Sequence, residues 1–444
     1  MIQTGLALVL CVMTCGGARA GMPDAAQAPD SLSIAQCIAL ARANAPDVRA
    51  ASEDLQAARY DSAAATKNRR PIASLFGSVL IAPRGFYDPA ITNLGQYEFK
   101  AGVTLPLRDG GAASRDRARA ANQAALAAFQ SRLTAREAGL RAGQLAIEIL
   151  TRRERERFEA QSLIWIDDLA SIIASRVRAG VSGPSDSMRI GLERDVVEAA
   201  LDSTRTGTAI AQRELAQLLG ISVEAMPPLR DSDPIAPLGP TPADSLALIA
   251  KVERLPDIGI ARAEEAQARL DLADVAHRND LRIDLSADAG FAGTDLTARV
   301  PADMRAADPN ASFPDRLRRD LGASAAIDFR RPIVDPTLGT TIAARRSAAD
   351  AARLRSVNTL STQRRGALDL LDRWRAANRA LHKTHGTVGR SGTNLLRTKS
   401  LYIAGAAGIL DILDARRILD EAQERLADAR SLIRSARIEA ENLP

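Results

Sequence analysis

The chain has 444 residues, a formal charge of +5 at pH 7, 46% hydrophobic residues, 25% charged residues and 3% aromatics. These fractions exclude a wholly disordered or collagen-like chain, and the length exceeds one small core, so two domains or one very elongated one are expected. The basic residues are almost all Arg, with Lys only at 67, 100, 251, 383 and 399, and acidic residues nearly balance them, so no strongly basic nucleic-acid surface is expected. With so few aromatics the apolar share comes from Ala, Leu, Ile and Val, which points to long helices packed at close distance.

In chain order, the first element is a targeting segment. Leu6 to Thr14 is apolar, and Ala18-Arg19-Ala20 has the small-x-small pattern of a signal-peptidase site, although Met1 to Gly5 lacks Lys or Arg. Acylation at Cys15 would need a small residue where Thr14 stands, so simple cleavage after Ala20 is expected. Cys11 and Cys15 leave with that segment and Cys37 remains alone, so packing rather than disulfides must supply stability. No later run approaches the ~20 apolar residues of a spanning helix, so an exported chain without one is expected.

Ile34, Ile38, Ala41, Ala45, Val48, Ala51, Leu55 and Ala58 fall at three- and four-residue steps, predicting a helix that Pro71 ends. Ile72 to Ile81 reads as a strand, joined through a turn near Pro83-Arg84-Gly85 to a second one. In that second strand Tyr97, Phe99, Ala101, Val103 and Leu105 alternate with Gln96, Glu98, Lys100, Gly102 and Thr104. A helix of about 100 Å, at ~1.5 Å per residue, follows from Ala113 to Arg178. A turn and another helix complete the set.

The same order then recurs. Pro46-Asp47-Val48-Arg49-Ala50-Ala51 matches Pro256-Asp257-Ile258-Gly259-Ile260-Ala261, Pro106-Leu107-Arg108-Asp109 matches Pro332-Ile333-Val334-Asp335, and Ala179-Gly180 with Asp186 matches Ala404-Gly405 with Asp411. The expected division is a signal peptide at 1–20, a first repeat at 21–225, a Pro-rich linker at 226–243 and a second repeat at 244–444. The polar segment Asp295 to Arg319 absorbs an insertion in the second copy. That copy has alternating strands at Leu281 to Phe291 and Leu321 to Phe329. Its last helix carries Ile412, Ala415, Leu419, Ala422, Leu426, Ala429, Ile433 and Ala436 in unbroken steps of three and four, a coiled-coil seam that leaves Arg416, Asp420, Glu424 and Arg430 for the outer faces.

Four strands of about ten residues match the ~9–11 that cross a bilayer when tilted, yet the smallest membrane barrels have ~8 strands and lipid tolerates no open edge. Either several chains close one barrel, or the sheet is a soluble cap on a helical bundle. The second alternative is an exported, soluble periplasmic coiled-coil scaffold or adaptor. Phe76, Phe86, Tyr87, Tyr97, Phe99, Phe291, Phe313 and Phe329 lie in or beside the strands, where a barrel needs interfacial anchors.

The ordered set Pro46-Asp47, Pro106-Leu107-Arg108-Asp109-Gly110-Gly111 after a strand, and Tyr402-Ile403-Ala404-Gly405 followed by Ile409-Leu410-Asp411-Ile412-Leu413-Asp414-Ala415 resembles the TolC-type outer-membrane efflux proteins over essentially the whole chain after the signal. The resemblance implies a mainly α fold with a membrane β-barrel part: a homotrimer in which each subunit gives four strands to one twelve-stranded barrel in outer-membrane lipid, above a long periplasmic coiled-coil tunnel. It further implies a passive exit duct of a tripartite efflux or type I secretion system, served by a periplasmic adaptor and an inner-membrane pump. Asp411 and Asp414 share a helix face and resemble the family's aspartate constriction; Asp186 matches Asp411, while Arg189 stands where Asp414 has its counterpart. Arg176, Gly180, Val181 and Ser182, with Tyr402, Gly405 and Ala406, look like the two hairpin tips that meet the adaptor. Gly183-Pro184 is a departure that stiffens the first tip.

Other signals are weaker. His382 and His385 share a helix face, but no Cys or carboxylate set completes a metal site, so a solvated face is expected. Gly386, Gly389 and Gly392 lack the strand and the Gly-Lys ending of a phosphate loop and are expected to loosen or bend a helix. Asp109 and Asp335 are expected to cap the long helices. With no nucleophile–base set, neither an enzyme nor a cofactor is expected.

Overall fold

Proline and capping chemistry set where the N-terminal helices begin. The computed structural model describes residues 31–80, 96–230, 243–293 and 321–443. The expected signal segment, the Pro83-Arg84-Gly85 turn, residues 231–242 of the linker, the Asp295 to Arg319 insertion, Phe86, Tyr87 and Phe313 lie outside these. Helix α1 (Ile34–Asn44) starts with a reciprocal capping box: the Gln36 amide donates to Ser33 Oγ at 3.2 Å, and the Ser33 amide donates to Gln36 Oε1 at 2.8 Å. The single expected stripe is in fact two helices. Ala45 is extended (φ −54°, ψ 137°) and Pro46, which has no N–H to donate, opens α2 (Pro46–Ala65). Ile34, Ala41, Ala45 and Val48 are nonetheless all buried.

Strand β1 (Ile72–Leu80) follows, then β2 (Gln96–Asp109), the 67-residue α3 (Ala112–Arg178) and the 36-residue α4 (Pro184–Leu219). The rest of the chain presents α5 (Ala243–Val252), α6 (Pro256–Ala276), β3 (Arg282–Gly293), β4 (Leu321–Arg330), the 66-residue α7 (Leu338–Ile403) and the 33-residue α8 (Ile409–Glu441). Among the described residues no helix is long and apolar enough to cross a membrane.

The strands form one antiparallel sheet in the order β1-β2-β3-β4. Its register puts like beside like: Phe99 pairs with Gly77 and Phe291, Ala101 with Leu75 and Ala289, Leu285 with Ile327, and Ile283 with Phe329. Directly paired residues share a face, so one apolar face runs unbroken across all four strands. Most of it is bare in the single chain, with Leu75 88% and Phe329 69% exposed. The other face carries Lys100 bonded to Glu98 at 2.6 Å, and Asp288 accepting from Ser324 at 3.0 Å. The β2–β3 register shifts between Pro106 and Arg108, where proline removes a ladder donor.

The sheet continues into a layer of helices. Nearest the sheet the packing order is α2-α3-α6-α7; toward the far end it is α4-α3-α8-α7. The long helices α3 and α7 thus span both zones, and the layer has two open sides. One core lies where α1 meets α3 and α4, around Cys37, Leu145, Ile149 and Leu215. Leu229 of the expected linker joins it and bridges Leu32 through a Leu32 amide bond to the Pro228 carbonyl. Burial pushes the Cys37 thiol up to about 11, so it is a packed, unreactive group.

One expectation about charge is corrected. Arg416 is buried rather than outward-facing, and Arg430 is half-buried and bonded to Glu154 of α3. The reason is that α8 packs on both α3 and α7, so more than its heptad stripe is covered. Gly386, Gly389 and Gly392 all lie within α7.

Candidate functional site: the paired hairpin tips

Both long helices end in the same hydrogen-bonded turn. At the first tip Gly180 is left-handed (φ +72°), its amide donates to the Val177 carbonyl at 3.0 Å and the Val181 amide donates to the Arg176 carbonyl at 2.9 Å. At the second tip Gly405 (φ +78°) donates to Tyr402 at 3.0 Å and Ala406 donates to Leu401 at 2.8 Å. This pair of bonds is the Schellman closure, which satisfies the last carbonyls of a helix and favours glycine at its left-handed position. Gly183 and Gly408 are then the N-caps of α4 and α8, with Pro184 at the first position of α4.

Arg176 ties the tips together. Its Nη1 donates to the Tyr402 carbonyl at 3.0 Å and the Ile403 carbonyl at 3.1 Å, its Nε donates to Ser182 Oγ at 3.2 Å, and its guanidinium lies 4.8 Å from the Tyr402 ring centroid. A cation on the last carbonyls of α7 is favoured by that helix's dipole, and the ring adds a cation–π contact. Tyr402 is 2% exposed, packed in an apolar core with Ile166, Ile173, Leu395 and Ile412. It therefore offers no ring to an outside partner; Gly180, Val181, Gly405 and Ala406 are exposed.

The charged residues follow the tips. Asp186 and Asp411 each occupy the third position of their helix. Asp411 Oδ2 accepts from the Gly408 amide at 2.8 Å, a self-cap at the positive end of α8. Asp414 is exposed and pairs with Arg417 at 2.7 Å. Arg189 is exposed and has no ion-pair partner among the described residues. Asp109 Oδ2 accepts from the Ala113 amide at 2.8 Å and Asp335 Oδ1 from the Thr337 amide at 3.0 Å, so both carboxylates serve helix starts. The Thr337 hydroxyl and amide hold the Asp335 carboxyl below its ordinary range.

Sequence reasoning missed a charged layer above the tips. Arg416 is 5% exposed, stacks 4.9 Å from the Trp165 ring centroid and bonds Asp420 at 2.9 and 3.0 Å. Burial raises the Asp420 carboxyl despite that arginine, with Glu193 of α4 adding to the rise. The available signal was the four-residue Arg416–Asp420 step on a helix with an apolar stripe beside it. Among the described residues no group of His, Cys, Asp and Glu could hold a metal ion, and His382 and His385 are exposed.

No family model matches the sequence, and no curated protein does. Solved structures do match in fold. A membrane protein from Pseudomonas aeruginosa superposes with a TM-score of 0.76 at 17% identity, covering 92% of each chain. The outer membrane protein VceC from Vibrio cholerae gives 0.72 at 16%, covering 92% of this chain and 95% of that one. The CmeC outer membrane channel of Campylobacter jejuni gives 0.72 at 12%, covering 92% and 85%. This chain has the outer-membrane channel fold. In this chain the 67-residue α3 runs from the end of β2 to the first tip and the 66-residue α7 runs from the β4 side to the second, so the long helices separate the tips from the sheet.

Proposed function

We propose that this chain is the outer-membrane channel subunit of a tripartite efflux or type I secretion system, a passive exit duct rather than an enzyme. In this reading the N-terminal segment is cleaved, the two repeats at 21–225 and 244–444 flank the Pro-rich linker, and three copies close a twelve-stranded barrel in the outer membrane. The tips, through Arg176, Gly180, Val181, Ser182, Gly405 and Ala406, face a periplasmic adaptor that connects to an inner-membrane pump. Asp411 and Asp414, with Asp186 and Arg189 of α4, constrict the tunnel mouth, where converging carboxylates favour cations.

The observation that carries the reading is the unbroken apolar face of a four-stranded sheet with two open edges. In water that face would be a large exposed apolar patch, and its edges would invite aggregation. Lipid on one side and further copies at the edges remove both problems. An exported soluble scaffold would leave them standing.

Fractionation followed by planar-bilayer recording tests this. The expected result is a heat-modifiable trimer in outer membranes that conducts with cation preference, a preference reduced by Asp411→Ala with Asp414→Ala. A soluble periplasmic monomer defeats the duct; unchanged conductance and selectivity in the double variant defeat the constriction.

A further inference from the structure

Helices α3 and α8 belong to different hairpins, and a polar ladder joins them. Reading away from the tips, Trp165 of α3 stacks on Arg416 of α8, and the Ser162 hydroxyl donates to Asp420. Arg155 then pairs with Asp428 at 2.5 Å, and Glu154 pairs with Arg430. The two helices run antiparallel, so each step of three or four residues along α3 is matched by about four along α8. Glu159 stands midway between Ser162 and Arg155, and Glu424 midway between Asp420 and Asp428. The register therefore sets Glu159 opposite Glu424, and among these rungs theirs alone brings two carboxylates together.

Glu159 is half-buried. Its Oε1 accepts from the Thr204 hydroxyl of α4 at 3.0 Å, and its Oε2 is buried with no hydrogen-bond partner among the described residues. The other charges around the rung are engaged: Arg155 with Asp428 through Nη2, Glu156 with Arg205 of α4 at 2.9 Å, and Arg425 with Glu421 at 3.4 Å. One rung nearer the tips, Arg416 holds Asp420, with Glu193 of α4 beside it. On the other side of α8, Arg373 of α7 pairs with Glu439 at 3.3 Å. Equal antiparallel steps from that pair set Val388 level with Glu424, with His385 and Arg390 within a turn of it. Two carboxylates at one site repel each other, so one of them keeps its proton to higher pH. Burial raises the Glu159 carboxyl, with Glu424 and Glu156 adding to the rise and Thr204 and Arg155 opposing it.

We propose that Glu159 and Glu424 share one proton, and that this acid–carboxylate hydrogen bond is a pH-sensitive staple between the two hairpins of one chain. The protonated partner donates its O–H to the other's carboxylate, which gives Glu159 Oε2 the partner it lacks. Such a charge-assisted bond is among the stronger ones a protein makes. Loss of the proton turns the same rung into a repulsion. The folded chain holds the proton more tightly than the unfolded one, so the staple's contribution is present at low pH and is lost as pH rises through the raised value. Hairpins that line a tunnel change its width by moving against one another. On the duct reading, acid therefore holds the far end narrow and higher pH frees it. The staple itself lies within one chain and does not depend on that reading.

Hydrogen exchange on the full-length protein, corrected for the intrinsic pH dependence of exchange, reads the protection of amides 155–163 and 420–428. The wild type is compared with Glu159→Gln, Glu424→Gln and His385→Gln. Between about pH 8 and about pH 5 the wild type is expected to gain about tenfold protection in both segments, the scale of a hydrogen bond to a charged group. Each glutamate variant lacks one of the two ionisations and is expected to lose that dependence, while His385→Gln retains it. A dependence that survives Glu424→Gln means that Glu159 titrates alone and overturns the staple. Loss of the dependence with His385→Gln, or a wild type whose protection does not change, overturns it too. Channel conductance over the same range is expected to fall toward the acid end in the wild type and not in Glu424→Gln. A chain that is stapled by exchange but does not conduct defeats the duct reading and leaves the staple standing; a stapled channel whose conductance ignores pH severs the staple from the width of the tunnel.

Discussion

Glu159, half-buried on α3, shows how tightly the helical layer is charged. Its Oε1 accepts from the Thr204 hydroxyl of α4 at 3.0 Å, while Oε2 is buried with no hydrogen-bond partner among the described residues. Burial raises its carboxyl above the ordinary value of 4.5, with Glu424 and Glu156 adding to the rise and Thr204 and Arg155 opposing it. A folded-state value above the unfolded one means the folded chain holds the proton more tightly. That contribution to stability is fully present below pH ~4.5 and is lost as pH rises through the raised value. Glu159→Gln keeps the acceptor for Thr204 and removes the ionisation. It is expected to raise the thermal midpoint modestly at pH 7–8 and to change it little at pH 4, read by circular dichroism; an equal gain at both pH values would refute the account. The Arg416–Trp165 stack was not legible in the sequence for a related reason. The heptad pattern of α8 marks one buried stripe, but contact with α3 and α7 together covers a second, and only the packed helices reveal where a charge has been enclosed with its partner.

At the scale of elements, most boundaries were legible because the periodic signals are long. The end of α3 at Arg178 coincides with the expected one, and its start differs by one residue; the faces of β2 and β3 follow the two-residue alternation up to the register shift between Pro106 and Arg108. The break at Pro46 was hidden because the buried stripe continues in step across it, from Ala41 through Ala45 to Val48. The tips were legible as glycine turns, but the Arg176 clasp across two hairpins was not, since its acceptors are carbonyls 226 and 227 residues away. Neither Gly180 nor Gly405 would place a Cβ within 4 Å of another atom, so their sole structural demand is the left-handed backbone. Gly180→Val or Gly405→Val should therefore cost about 1–2 kcal/mol of local strain and leave helix content and trimers intact. If the tips dock an adaptor, either substitution abolishes export measured in cells. Normal export from both variants would remove the docking role, and lost trimers would make the turns purely structural.

For the whole molecule, what decides between a membrane duct and a soluble scaffold is which face of the sheet meets lipid, and two nearby positions on β2 separate the readings. Ala101 lies mid-strand on the apolar face, paired with Leu75 and Ala289, whereas Thr104 lies on the opposite face beside Ile72 and Ser286. The sequence shows this alternation but not closure, because the described residues hold only four strands, and among them both outer edges are unpaired. In a barrel an arginine on the lipid face near mid-membrane costs about 2–4 kcal/mol, and a lumen-facing one is solvated. With three copies per barrel that cost recurs three times, enough to prevent assembly, while the inner position only adds charge to a wet channel. Ala101→Arg is therefore expected to remove the heat-modifiable trimer from outer membranes, and Thr104→Arg to retain it with altered ion selectivity. A soluble sheet predicts no such contrast, since both faces would then meet water or packed protein. Equal tolerance of the two arginines would end the barrel reading; trimers kept by Ala101→Arg but lost by Thr104→Arg would turn the sheet inside out.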